Sequence, residues 1–132
     1  MTLAAQASEL PDRESADCDI DLSQLQDLAQ VLPPSALKEL MVSFDASFEA
    51  AHEKLKAATA IRDLAAAGCE AHDLKSITGN FGMRRLQYLA EHIETACRND
   101  NAADVIRLVP EIALAWAVAR ERLEEFKAGT EA

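Results

Sequence analysis

The sequence predicts an all-α protein, an antiparallel up-down four-helix bundle with a short N-terminal capping helix. Three observations carry that prediction. Apolar residues recur at steps of three and four along most of the chain, and no stretch alternates as a strand would. Pro, Gly and Asn clusters cut this periodicity into one short and four long segments with short connections, as bundles have. With 132 residues there is room for one core, which needs no disulfide or metal to hold it.

Residues 1–21 are polar and acidic without a period, and are expected to form a flexible arm ahead of a domain spanning residues 22–128. Leu22, Leu25, Leu28, Ala29 and Leu32 make a short amphipathic helix that Pro33 and Pro34 end. Leu37, Leu40, Met41, Phe44, Phe48, Ala51, Leu55 and Ala58 form the apolar stripe of the next helix. Thr59 is the expected N-cap of a third, whose inward positions are Leu64, Ala67, Ala71, Leu74, Thr78 and Phe81. Gly79, Asn80 and Gly82 break the chain there. Leu86, Leu89, Ala90, Ile93, Ala96 and Cys97 define a fourth helix ending near Arg98, and Asn99 to Asn101 form a turn. Val105, Val109, Ile112, Trp116, Ala119, Leu123 and Phe126 define the last helix, in which Pro110 is expected to introduce a kink.

Composition narrows the function. A formal net charge of −10 opposes binding to nucleic acid or an anionic membrane, so proteins are the expected partners. Neither a secretion signal nor a membrane span is recognisable, and Cys18, Cys69 and Cys97 lack paired metal-type spacing, which reads as reduced thiols in a cytoplasmic protein.

The stretch EAHDLKSITGNFGMRRLQ, Glu70 to Gln87, carries the chemistry. At about 100° per residue, Ala71, Leu74, Thr78 and Phe81 share the inward side, whereas His72, Lys75, Ser76 and Gly79 cluster about a third of a turn away. An imidazole thus faces solvent beside an ammonium. Ser76 and Gly79 are poor choices inside a helix, glycine costing about 1 kcal/mol against alanine, so bare surface there suggests that something approaches closely.

His72, Leu74, Lys75, Gly79, Gly82, Arg84 and Leu86 resemble the signature of the histidine-containing phosphotransfer (HPt) domains of bacterial and plant phosphorelays. The resemblance implies a phosphocarrier without kinase activity of its own, whose partners are the receiver domains of response regulators and hybrid histidine kinases. In such a protein His72 is the phosphorylated nucleophile, through Nε2, and Lys75 its electrostatic helper. Ser76 and Gly79 give clearance for docking, and Arg84 and Arg85 add a local basic patch. The family usually has glycine where Ser76 stands. The chain itself has no acidic pocket for Mg²⁺ and no nucleotide cradle, so no cofactor is expected in it; the receiver supplies the Mg²⁺. A monomer is expected.

Three rival readings remain. A histidine-kinase dimerisation domain would place a proline soon after His72-Asp73, and Leu74 to Phe81 contains none. A metal-binding bundle could draw on His52, Cys69, His72 and His92, although bundle metal sites cluster carboxylate and histidine motifs absent here. A non-phosphorylated helical interaction module would need neither His72 nor Lys75.

Overall fold

A computed structural model of the chain describes residues 21–131. The predicted arm lies outside the described residues except for Asp21, as does Cys18. Five helices account for the described chain, with no strand among them: α1 (Ser23–Val31), α2 (Pro34–Ala60), α3 (Leu64–Asn80), α4 (Arg84–Arg98) and α5 (Ala102–Glu131).

Each boundary has a local cause. Leu32 turns to extended backbone ahead of Pro33, and Pro34 occupies the first turn of α2, where its missing N–H costs nothing. Thr59 does not cap α3. It lies within α2 and donates its hydroxyl to the Leu55 carbonyl at 2.8 Å. The chain then turns through Arg62 at a left-handed φ of 56°, and the Asp63 carboxylate accepts from the Ala66 N–H at 3.1 Å as the N-cap. Asn101 caps the start of α5 similarly, accepting from the Asp104 N–H at 3.2 Å. α5 continues as helix through Pro110.

Packing follows the predicted stripes. α2 contacts α3, α3 contacts α4, α4 contacts α5, and α5 returns to α2, while α1 lies against α2 through the fully buried Leu25. The α2–α5 contact is aromatic: Trp116 stacks on Phe48 with centroids 3.9 Å apart and lies tilted against Phe44 at 5.8 Å, while the other face of the cluster is a stack of Phe44 on Phe81 at 4.1 Å. Phe81 itself sits just past the end of α3. The sequence pattern passed over Met83, between α3 and α4, which is wholly buried. No helix among the described residues is long and apolar enough to cross a membrane.

Gly82 fixes the α3–α4 turn. It takes a left-handed φ of 71°, and a Cβ on it would collide with the Asp21 carbonyl. The Asp21 N–H donates to the Gly82 carbonyl at 2.6 Å, and Arg84 pairs with the Asp21 carboxylate at 2.9 Å. The start of α1 is thereby held to the end of the α3–α4 hairpin.

Candidate functional site

α3 and α4 run in opposite directions, as three cross-pairs show: Gly68 faces Cys97, His72 faces Glu94, and Gly79 faces Gln87. Two of these are glycine contacts. A Cβ on Gly68 would lie 3.3 Å from that of Cys97, and one on Gly79 would lie 2.7 Å from Gln87 Nε2. Small residues therefore bring the two helices close enough for side chains of moderate length to bridge them.

Between the glycines the bridge is polar. His72 is exposed, with 58% of its side chain open to solvent, and its Nδ1 lies 3.0 Å from Glu94 Oε2. Lys75, half-buried one turn on, donates to Glu94 Oε1 at 2.9 Å. Arg98, on the last turn of α4, brings Nη2 to 3.6 Å from Glu94 Oε2. Glu94 is thus shared by three basic groups. The hydrogen bond from Lys75, and next that from His72, hold its carboxyl below the usual carboxylate range.

That assignment fixes the imidazole. An ionised carboxylate can only accept, so Nδ1 must carry the proton that Glu94 binds, and in the neutral ring the lone pair is left on Nε2. Lys75 is held on the other oxygen of the same carboxylate, so its ammonium is not spent on that lone pair. A shallow groove of about 490 Å³ opens beside His72, lined among others by Leu64, Gly68, Cys97, Glu94 and Arg98. Burial, and then the Glu94 charge, push the Cys97 thiol up from its ordinary value.

The remaining expected site residues separate. Ser76 is exposed on α3, as predicted. Gly79 is not simply bare surface, because Gln87 covers it. Arg84 is exposed but paired with Asp21, whereas the Arg85 side chain is buried, so the two do not form an outward basic patch. Arg85 follows Arg84 by about 100° round the helix, which turns it toward the core. Glu94 and Arg98 escaped the sequence reading. Their signal was present as an i, i+4 acid-base pair on the outer side of α4, but its alignment with His72 requires the register of the hairpin.

His52 is buried against Phe48, His92 lies tilted against the Tyr88 ring, and His72 is held by Glu94. Among the described residues no group of three or more His, Cys, Asp or Glu side chains is placed to hold a metal ion.

A family model for the Hpt domain matches residues 24–129, most of the chain. The chain belongs to the Hpt domain family. Hpt domains are the phosphocarriers of histidine phosphotransfer in two-component phosphorelays, where they interact with receiver domains. No curated protein and no solved structure gives a match.

Proposed function

We propose that this Hpt domain accepts a phosphoryl group on His72 Nε2 from the aspartate of one receiver domain and passes it to the aspartate of another. The contact of Nδ1 with Glu94, on a carboxylate that also holds Lys75, is the observation that carries this reading. It leaves one exposed nitrogen with a free lone pair beside an ammonium. In the transfer, the Nε2 lone pair forms the N–P bond. The P–O bond to the receiver carboxylate breaks, and its electron pair leaves with that carboxylate. Nδ1 keeps its proton, so the positive charge gained by the ring is met by Glu94, while Lys75 turns toward the phosphoryl oxygens. Onward transfer reverses these steps with a second aspartate.

In this reading the chain works as a cytoplasmic monomer, and the receiver brings its own Mg²⁺ together with its aspartate. The helices are best read as an up-down antiparallel four-helix bundle of α2 to α5, capped by α1. Ser76, exposed one turn beyond His72, belongs to the surface that the receiver covers.

Incubating the purified protein with phosphorylated receiver domains tests the proposal. The expected product is an acid-labile, alkali-stable label that His72→Gln abolishes and that His52→Gln and His92→Gln retain. Label persisting in the His72 variant would overturn the assignment, and a parent that takes no label would favour the non-phosphorylated interaction module.

A further inference from the structure

We infer that Arg98 is a second phosphoryl-contacting cation, held in reserve on Glu94 until the phosphoryl group arrives; the inference rests on His72 being the phosphorylated residue. The cations expected from the sequence, Arg84 and Arg85, are poorly placed for this role. Arg84 is ten residues from Glu94, about 15 Å along α4, and is occupied by Asp21. The Arg85 side chain is buried. Arg98 instead lines the groove together with His72, with Nη2 3.6 Å from the same Glu94 oxygen that accepts from His72 Nδ1–H.

Charge and distance explain how the reserve is released. Before transfer, Glu94 holds Lys75 at 2.9 Å and Arg98 at the longer, weaker 3.6 Å. The Arg98 side chain is 66% exposed, so its guanidinium has open solvent to move through. A phosphoryl group on Nε2 puts about two negative charges beside Glu94 and Asp73, which line the same groove. Acids on this side would repel the group unless a cation moved to it. Besides His72 itself, Arg98 is the basic side chain in that lining, and its planar fork matches phosphoryl oxygens. Glu94 thus keeps the resting site neutralised and yields its weakest-held cation when the charge on His72 changes.

The test is the equilibrium constant for phosphoryl exchange between His72 and a receiver domain, read at concentrations where little complex forms. Docking defects change the rate of approach to equilibrium but not its position, whereas a lost phosphoryl contact changes the position. Arg98→Gln should lower the equilibrium ratio of phosphorylated to free His72 about threefold, the scale of an exposed charge pair. Arg98→Lys should restore part of this ratio, and Arg84→Gln should leave it at the parent value. An unchanged ratio in Arg98→Gln would overturn the inference, whether or not the rate fell. Loss of parent label in His72→Gln verifies the underlying reading separately, since that result does not depend on Arg98.

Discussion

The contact between α2 and α5 and the contact between α3 and α4 are built on opposite plans. α2 and α5 meet through large rings, with Phe44 and Phe48 against Trp116. α3 and α4 meet through glycines, and the space so saved goes to charged groups that bridge from helix to helix. The difference assigns separate tasks. Aromatic burial makes one contact a source of stability, and close backbone approach makes the other a frame in which a carboxylate on one helix orients an imidazole on its neighbour.

The sharpest break of this division is His72→Gln, which should remove all labelling by a small donor such as phosphoramidate while leaving the thermal midpoint unchanged. Its side chain is mostly in solvent, so a large fall in stability would show that the α3–α4 contact is also a stability element. Phe48→Ala should do the converse. Deleting this fully buried ring should cost about 4 kcal/mol in denaturant unfolding, yet the fraction still folded should label at the parent rate.

The glycines give a smaller effect. Gly82→Ala places a side chain in a left-handed conformation and against the Asp21 backbone, and should destabilise the protein by about 2 kcal/mol. Gly79→Ala meets only the movable end of Gln87 while gaining helix propensity, so its stability should change by less than about 0.5 kcal/mol. Equal losses from the two would mean that the α3–α4 distance, and not the turn, is what those glycines protect.

The smallest effect is in pH dependence. Burial, and then Lys56, hold the His52 imidazole below its ordinary value, and no hydrogen bond satisfies its Nε2. The unfolded chain therefore binds a proton more readily at this position. Stability should fall as pH drops through about 6.5, and unfolding of His52→Leu should lose that part of the slope. Glu94 acts in a separate window: its lowered value stabilises the fold above about 4.5, a contribution lost as pH falls below it and missing from Glu94→Gln. A slope near 6.5 retained by His52→Leu would place its source in another residue.

Much of this was legible in the sequence because it depends on local spacing. The stripe from Leu37 to Ala58 shows which face of α2 is buried, and the offset of His72 from Ala71 and Leu74 shows that the imidazole is outside. What escaped depends on register or on a choice between equals. Thr59 and Asp63 are both good caps, and only the packed position of α2 lets the helix run past the first. Arg85 reads as a surface residue until the phase of α4 is known. Glu94 stands 22 residues from its histidine, so no local rule could pair them.

The tie between Asp21 and Gly82 carries a consequence for motion. The nine-residue α1 is too short to persist as a helix without tertiary support, and its first anchor is a backbone bond to a turn 61 residues away. Fraying of α1 from that end cannot proceed independently, because releasing Asp21 leaves the Gly82 carbonyl with the Arg84 N–H alone, at 3.0 Å, and unpairs the Arg84 guanidinium from the Asp21 carboxylate. In amide hydrogen exchange, Asp21 and the first turn of α1 should therefore open together with the Gly82 turn as one cooperative unit, below the global unfolding free energy and separately from the core of α3.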